Sequence, residues 1–489
     1  MRRKSSATLE HDRLRISPPP PPPPPPSATR QHMEQATKPM KSLKIGYVPL
    51  AKGNWVTPTL ETLRQEALAV VRKTHQDYTV VGGESLVATD AEALALLDRF
   101  KAEGVDVIVC HFITFCLGTI VPLLAQRSKL PVVLWSMPEP PMDGGALKSN
   151  SFCAANMNAH ALWKIRARYL HVHAPLEQAE SGLRKVLGPI AATKRLQRTK
   201  IGLVGSRVPG FYTSDANELL LRRELGVEIE NITMFELVET AKKMSEAKVG
   251  EALELLKASS GRACDLSDDN FRKGGALFAA FLELKQKFAV DSFSVKCWPE
   301  FSQIYGIYVC AIMGMLNDRA IMSGCEGDIY GTVTMIMQNE LTGGLPFFCD
   351  LISIDGEGNT GVNWHCGAAP RSLCRPGAQS TLRQYFRNDG KGIINEFPLK
   401  PGRVTLARLS ETRDNDGYRM LITTGEALET EQLLRGNPLR VRFDVPLDRV
   451  AKTLIYEGFE HHFSVIHGEI VEELLNVCRL LDIEPVHLR

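Results

Sequence analysis

Several common motifs are missing from this sequence of 489 residues. Its eleven cysteines occur singly and form no Cys-x-x-Cys pair, which argues against a disulfide framework and predicts reduced thiols in a cytoplasmic protein. It has no Gly-x-Ser-x-Gly elbow and no P-loop. Gly202, Gly205 and Gly210 follow an expected strand, but their spacing is not that of a dinucleotide fingerprint. Serine-hydrolase and nucleotide-binding functions are therefore not indicated.

Excess positive charge is confined to the start of the chain. The sequence has 58 Lys and Arg against 56 Asp and Glu, and residues 1–42 contribute eight basic and three acidic residues. The rest therefore has 50 basic and 53 acidic residues, a net charge of −3. A mildly acidic body lacks the basic surface that binds a phosphate backbone, so we expect no nucleic-acid partner.

Long uncharged apolar runs are also lacking. The apolar stretch from Val105 to Arg127 contains Asp106, His111, Gly118 and Pro122. It is therefore predicted to be a buried strand that leads into a buried helix, and no membrane partner is expected.

The first 42 residues are predicted to be a disordered, dispensable tail. The nine prolines from Pro18 to Pro26 favour a polyproline II rod without an apolar face, and the flanking segments are polar. An Arg-rich start is also typical of transit peptides, but Glu10 and Asp12 argue against one.

From residue 43 to about 175, apolar strands alternate with amphipathic helices. Val105–Val109 is an apolar strand apart from Asp106, and Val132–Leu134 is a second apolar strand. Asp90 is expected to cap the helix that precedes Val105. This alternation is typical of a parallel sheet covered on both faces, which predicts a Rossmann-like N-terminal domain. The pattern restarts at Lys200 and predicts a second Rossmann-like domain over 176–341.

After about residue 342 the pattern becomes one of alternating segments divided by Gly, Asp and Asn turns. Residues 342–489 are therefore predicted to form a β-rich C-terminal domain that a helix from Glu469 to Leu481 closes. The expected fold class is α/β, with two tandem Rossmann-like parallel-sheet domains followed by this β-rich domain.

The histidines of the N-terminal domain are not strong candidates for a site. His111 lies between apolar segments and is more typical of a core residue than of a ligand. His160, His171 and His173 are predicted to lie on the surface of an Arg-rich helix.

Candidate metal ligands are concentrated later in the chain. Glu326 and Asp350 each lie at the edge of an apolar strand, and a helix that Asp328 can cap joins the two strands. If the strands are parallel neighbours about 5 Å apart, both carboxylates can reach one ion. His461 and His462 add imidazoles, and two carboxylates with one imidazole suit Mn²⁺ or Mg²⁺. Taken alone, Glu326 and Asp328 are more typical of an acidic helix start, and His461 and His462 are equally typical of a surface pair near a turn.

Together and in this order, these motifs resemble the L-fucose isomerase family over about residues 43–489, with weaker similarity to L-arabinose isomerases. The motifs are Cys325-Glu326-Gly327-Asp328, the following Leu-Thr-Gly, the Phe-x-x-Asp that ends at Asp350, and the late His461-His462-Phe463. The resemblance implies Mn²⁺ held by Glu326, Asp350 and His461, with His462 as the alternative to His461. It further implies a homo-oligomer, such as a hexamer, in which a neighbour's N-terminal domain completes each site.

The expected activity is metal-dependent aldose–ketose isomerisation of a free sugar through an enediol. The resemblance implies that Glu326 and Asp350 transfer the protons, and it does not say which is the base. Expected substrate-binding residues are Trp298, Glu300, Trp364, His365 and His462. The two indoles are equally typical of core packing.

The segment Asn363–Gly367 and the short C-terminal domain depart from the family pattern, which makes a different sugar plausible. Arg371 and Arg375 can pair with a sulfonated hexose if they face the cavity, although a surface loop is the favoured interpretation. Two other functions stay open: a non-catalytic sugar-binding or regulatory protein, and a metal-dependent sugar epimerase.

Overall fold

The computed structural model describes residues 42–386 and 389–489. The predicted tail covers residues 1–42, of which only Ser42 is described. The polyproline and disorder predictions therefore lie outside the described residues. The helices are α1 (Pro58–Lys73), α2 (Asp90–Glu103), α3 (Ile120–Ser128), α4 (Ser151–Lys164), α5 (Leu176–Leu196), α6 (Glu218–Leu225), α7 (Met234–Lys242), α8 (Glu246–Ala258), α9 (Asp268–Lys287), α10 (Glu300–Ile304), α11 (Cys310–Asn317), α12 (Ile329–Thr342), α13 (Leu447–Tyr456) and α14 (Val471–Leu481).

The first sheet is parallel throughout, in the order β2-β1-β3-β4-β5. Its strands are β1 (Lys44–Leu50), β2 (Thr79–Gly82), β3 (Val107–Phe112), β4 (Val132–Ser136) and β5 (Tyr169–His173). Every residue of β3 and β4 is buried, as their continuous apolar sequences predicted. The strand and helix expected from Val105 to Arg127 are confirmed as β3 and α3.

Two local predictions for this region are wrong. Helix α2 is capped by Thr89, whose side chain forms a reciprocal capping box with Glu92, so Asp90 is its first residue and not its cap. His171 and His173 lie on strand β5 and not on a helix, and both are within 2.9 Å of Ser136 Oγ. His111 is a fully buried core residue that stacks on Trp135.

The second sheet is also parallel and has the order β10-β9-β6-β7. Its strands are β6 (Lys200–Val204), β7 (Glu228–Ile232), β9 (Ser292–Val295) and β10 (Ser323–Cys325). A small separate sheet joins β8 (Arg262–Ala263), β13 (Thr381–Gln384) and β14 (Gly392–Glu396) in the order β14-β13-β8.

The C-terminal part contains a closed barrel. Its strands are β11 (Phe347–Asp355), β12 (Thr360–His365), β15 (Gly402–Glu411), β16 (Tyr418–Ala427), β17 (Asn437–Phe443), β18 (His462–His467) and the added β19 (Glu484–His487). Strand β15 pairs with both β18 and β16, so six antiparallel strands close in the order β15-β18-β11-β12-β17-β16. Strand β19 follows α14 and pairs in parallel with β16. The prediction that this helix is the last element is therefore wrong.

Helix α12 connects the second sheet to the outside of this barrel. It is buried along almost its whole length, from Ile329 to Glu340. Gln338 Nε2 donates to the carbonyl of Ser464 on β18 at 3.0 Å. The predicted fold class is confirmed, with two parallel-sheet regions followed by an antiparallel β-rich region. No helix of the described ranges is long and apolar enough to span a membrane.

Candidate active site

A sharp chain reversal presents the Glu326 side chain at the end of the second sheet. Strand β10 ends at Cys325, and the next two residues adopt left-handed backbone angles, with φ of 60° at Glu326 and 76° at Gly327. A Cβ on residue 327 would lie 2.5 Å from the carbonyl oxygen of Ser206, so only glycine fits there. Asp328 then caps α12 by accepting from the Gly331 amide at 2.8 Å, as the sequence predicted.

Asp350 and His462 are directly opposite each other on the neighbouring strands β11 and β18. The preceding residue Cys349 and its partner Phe463 belong to the barrel core. Because side chains alternate along a strand, Asp350 and His462 point to the outer face of the barrel, towards Glu326.

The prediction that Glu326 and Asp350 lie on neighbouring parallel strands is therefore wrong. Glu326 follows a strand of the parallel sheet and Asp350 lies on a barrel strand, so their strands are not parallel neighbours. The two side chains nevertheless meet, because the end of one sheet faces the outside of the barrel.

Two carboxylates and two imidazoles lie within a few ångströms of one another. His462 Nε2 is 3.6 Å from both Glu326 Oε2 and Asp350 Oδ1. His461 Nε2 is 3.1 Å from the same Glu326 oxygen and 3.9 Å from the same Asp350 oxygen. Two overlapping groups of side chains could hold a cation. One consists of Glu326, His461 and His462, and the other of Asp350, His462 and the neighbouring His365.

Asp350 Oδ1 is a buried acceptor that makes no hydrogen bond with any described residue. Buried polar atoms without a partner are rare, and a cation is one of the groups that satisfy them. The carboxylate oxygens are the donors that Mn²⁺ and Mg²⁺ prefer, and imidazole nitrogen is a common ligand of transition-metal cations. The residues therefore fit a divalent cation.

Behind His462 lies a buried chain of charged groups. His462 Nδ1 is 2.9 Å from Asp328 Oδ2, and the same oxygen pairs with Arg408, which has no exposed surface. Arg408 Nε in turn donates to Glu460 at 3.2 Å. Burial opposes ionisation of Asp328, but the Arg408 guanidinium and the His462 hydrogen bond hold its pKa well below the usual range.

The two imidazoles differ in their surroundings. Burial lowers the pKa of His462. For His461, burial also opposes protonation, but the hydrogen bond to Glu326 and the charges of Asp350, Glu326 and Asp328 together raise the pKa. Burial likewise opposes ionisation of Glu326, but the His461 hydrogen bond, the His462 charge and the Trp298 hydrogen bond together lower its pKa. His461 is fixed from its other side by Thr213 Oγ1, 2.9 Å from Nδ1.

A cavity of about 250 Å³ opens beside this cluster. Aromatic side chains and thiols supply most of its walls, which comprise Cys297, Trp298, Pro299, Ser302, Gln303, Tyr308, Cys310, Cys325, Glu326, Asp350, Trp364, His365, Cys366, Tyr385 and Phe386. Trp298 Nε1 donates to Glu326 Oε1 at 3.0 Å, and Trp364 Nε1 donates to the Arg435 carbonyl at 2.6 Å. Both indoles thus line the cavity while their ring nitrogens are fixed by the protein.

Not every residue expected at the substrate lies there. Glu300 pairs with Lys296 at 2.6 Å and is not among the lining residues. Arg375 pairs with Glu429 and Glu431 on another part of the surface, and the backbone amide of Arg371 bonds to Asp318. The favoured interpretation of these two arginines as loop residues agrees with these contacts.

Sequence reasoning missed Arg408 and the role of Asp328 behind His462. Arg408 interrupts an apolar strand segment, Leu406-Ala407-Arg408-Leu409, which was the available signal. A charged residue in such a segment must find a buried partner. That partner, Asp328, is 80 residues away in sequence.

Fold and site together define an α/β protein in which two carboxylates and two imidazoles lie beside an aromatic cavity. Residues 46–195 match the family model for the fucose/sulfoquinovose isomerase N-terminal domain, and residues 365–488 match that for the L-fucose isomerase C-terminal domain. A sulfoquinovose isomerase of Priestia aryabhattai is 30% identical over 450 residues, which are 91% of this chain and 99% of the relative. One of Alkalicoccus urumqiensis is 28% identical with the same coverage.

The chain belongs to the L-fucose isomerase family, and the predicted enzyme class, an aldose–ketose isomerase of a free sugar, is confirmed. Among solved structures, a periplasmic solute-binding protein of Actinobacillus succinogenes with bound D-allose covers 61% of this chain and 91% of its own. Its identity is 10% and its TM-score 0.17, a level that says nothing about function.

Proposed function

We propose that this isomerase is Mn²⁺-dependent, or Mg²⁺-dependent, and that Glu326, Asp350 and His462 hold the cation. The observation that carries the proposal is the position of His462 Nε2, 3.6 Å from one oxygen of each carboxylate. When bound, the cation polarises the substrate carbonyl and stabilises negative charge on its oxygens.

The choice of His462 over His461 rests on its hydrogen bond to Asp328. An ionised carboxylate only accepts, so Asp328 makes His462 Nδ1 the donor and leaves the Nε2 lone pair facing Glu326 and Asp350. A carboxylate behind an imidazole is the usual arrangement for a metal-ligating histidine. His461 instead has Thr213 behind it and is about one-third exposed.

The reaction requires two proton movements. The proton on C2 of the aldose is transferred to C1, and the proton of the C2 hydroxyl is transferred to the C1 oxygen. Glu326 and Asp350 are the groups that can carry the carbon-bound proton. His461, with Nε2 at 3.1 Å from Glu326, is suited to move the hydroxyl proton.

For the substrate, we propose a sulfonated hexose of the sulfoquinovose type. The support is the near-complete coverage of relatives named sulfoquinovose isomerases, at 28–30% identity. Arg371 and Arg375 are not part of this proposal, because their contacts lie elsewhere.

We also propose that the active form is a homo-oligomer such as a hexamer. Large apolar side chains of the N-terminal part are exposed, among them Leu117, Met142, Phe152 and Trp163 at 61%, 91%, 56% and 65%. Exposed apolar residues in such number support a protein–protein interface.

The free state of all eleven cysteines, each within the described ranges, supports a reducing, cytoplasmic location.

A substrate panel tests the proposal. Protein freed of metal and reloaded with Mn²⁺ is given L-fucose, D-arabinose and sulfoquinovose, with and without chelator, and the products are identified by NMR. We expect a ketose from sulfoquinovose that chelator abolishes. Chelator-insensitive turnover would overturn the metal proposal, and turnover of L-fucose or D-arabinose alone would overturn the substrate proposal. An epimeric aldose as sole product would point to the epimerase alternative.

A further inference from the structure

Four buried thiols from separate parts of the chain meet beneath the cavity. Cys297 follows β9, Cys310 begins α11, Cys325 ends β10 and Cys366 follows β12. Each of the four is at most 9% exposed. The Cys325 and Cys297 sulfurs are 2.9 Å apart, and those of Cys310 and Cys366 are 3.3 Å apart. The Cys366 and Cys325 sulfurs lie within 4.8 Å of each other, which links the two pairs into one cluster.

Local structure directs these side chains to one point. Cys325 belongs to β10, whose neighbour β9 continues into Cys297, so the first pair comes from adjacent strand ends. Cys366 is followed by Gly367 at φ 109°, where a Cβ would lie 2.7 Å from the Ile394 side chain. Only glycine allows this turn, which directs the Cys366 sulfur towards Cys310.

We propose that Cys297, Cys310, Cys325 and Cys366 form a binding site for a thiophilic d¹⁰ cation such as Zn²⁺ or Cd²⁺, distinct from the carboxylate site. Soft thiolate donors select such cations, whereas Mn²⁺ and Mg²⁺ prefer oxygen. The inference does not depend on the proposed Mn²⁺ site.

The sulfurs are close enough together to share one cation. The two measured pairs, at 2.9 and 3.3 Å, are closer than the ligands of a metal site need to be. A tetrahedral site with Zn–S bonds of about 2.3 Å separates its sulfurs by about 3.8 Å. Small outward movements of the four side chains therefore produce a tetrahedral site.

His365 makes one of the thiols a ready ligand. Its Nδ1 is 3.3 Å from the Cys366 sulfur, and His365, Cys325 and Cys366 together form a candidate cation group. The thiolate is the form that binds metal, so the four thiols lose their protons to solvent on binding.

The two sites are neighbours with different donor chemistry. Cys325 directly precedes Glu326, and His365 also lies within reach of Asp350 and His462. All four cysteines line the cavity. A thiophilic cation in the cluster therefore changes the shape of the cavity wall, and we expect it to inhibit turnover without displacing Mn²⁺.

Cadmium titration of the Mn²⁺-loaded full-length enzyme tests the proposal. We expect one Cd²⁺ per chain with an ultraviolet sulfur-to-cadmium charge-transfer band, and no release of Mn²⁺. The Cys325→Ser/Cys366→Ser double variant loses the band, and Cys374→Ser, which changes a cysteine outside the cluster, retains it. Glu326→Gln loses Mn²⁺ but keeps the band, which separates this site from the carboxylate site.

A band that survives in the double variant, or no band in the wild-type enzyme, would overturn the proposal. Circular dichroism melting shows whether the double variant is folded. If it is not, the single variants Cys297→Ala and Cys310→Ala replace it, and each is expected to weaken Cd²⁺ binding.

Discussion

His462 Nδ1 lies 2.9 Å from Asp328 Oδ2, and both side chains are almost completely enclosed, with 1% of each exposed. Asp328 thereby serves three partners: it caps α12, pairs with Arg408 and orients His462. One buried carboxylate couples the start of the helix, the barrel and the candidate metal site.

Asp328→Asn should weaken both the fold and the metal site. It leaves the buried Arg408 guanidinium with only Glu460 as a charged partner, and loss of one member of a buried ion pair costs about 3–5 kcal/mol of unfolding free energy. Loss of the carboxylate behind a ligating histidine typically costs about 10–100-fold in metal affinity. Urea unfolding and Mn²⁺ titration measure the two effects, with the exposed Asp448→Asn as control. Unchanged Mn²⁺ affinity would contradict the role of Asp328.

Replacing the two neighbouring histidines singly should separate their roles. His462→Ala should abolish Mn²⁺ binding, because it removes the nitrogen that faces both carboxylates. His461→Ala should keep Mn²⁺ and lose about 10²–10⁴-fold in turnover, as expected for a proton-transferring group. Electron paramagnetic resonance of bound Mn²⁺ and kcat provide the readouts. The opposite pattern would make His461 the ligand, as the sequence resemblance implies.

The sequence predicts the fold class because its signals are local: apolar strands, amphipathic helices and alternating segments. It also identifies Glu326 and Asp350 as carboxylates at strand edges. Closure of the barrel depends on pairing between β15 and both of its neighbours, which no local pattern contains. The contrast between His461 and His462 likewise depends on the register of β18 with β11 and on Asp328, far away in sequence.

Asp350→Asn should abolish turnover and leave the fold intact. The side chain is about one-quarter exposed, and its Oδ1 makes no hydrogen bond with the described residues, so the amide disturbs little. Loss of the carboxylate removes one proton carrier and one candidate ligand. Ketose formation and the melting temperature measure activity and fold. Retained activity would remove Asp350 from the mechanism.

Gly327→Ala should be more harmful than an alanine at another left-handed glycine. Gly104 has φ of 66°, and a Cβ added there would have no other atom within 4 Å, so Gly104→Ala reports the backbone cost alone, about 1–2 kcal/mol. At Gly327 the added Cβ also meets the Ser206 backbone at 2.5 Å. The chain must move, and Glu326 moves with it. We expect Gly327→Ala to lower the free energy of unfolding more than Gly104→Ala does, and we expect only Gly327→Ala to reduce turnover. Equal turnover in the two variants would contradict this prediction.

Glu139 should make the segment it holds sensitive to acid. Its carboxylate accepts from the amides of Lys148, Ser149 and Asn150 and from the Ser149 hydroxyl. Burial opposes ionisation, but these hydrogen bonds lower the pKa of Glu139 from 4.5 to about 2. Because the pKa is lower in the folded state, the stabilisation is complete above about pH 4.5 and is lost as the pH falls towards 2.

Hydrogen exchange at the Ser149 and Asn150 amides should therefore accelerate as the pH falls through this window, once the intrinsic pH dependence is removed. Glu139→Gln should show faster exchange already at neutral pH and no further change across the window, because an amide does not titrate there. The exposed Glu66→Gln should behave like the wild-type protein. If exchange in Glu139→Gln keeps the wild-type pH dependence, another group holds this segment, and the Glu139 hydrogen bonds do not stabilise it.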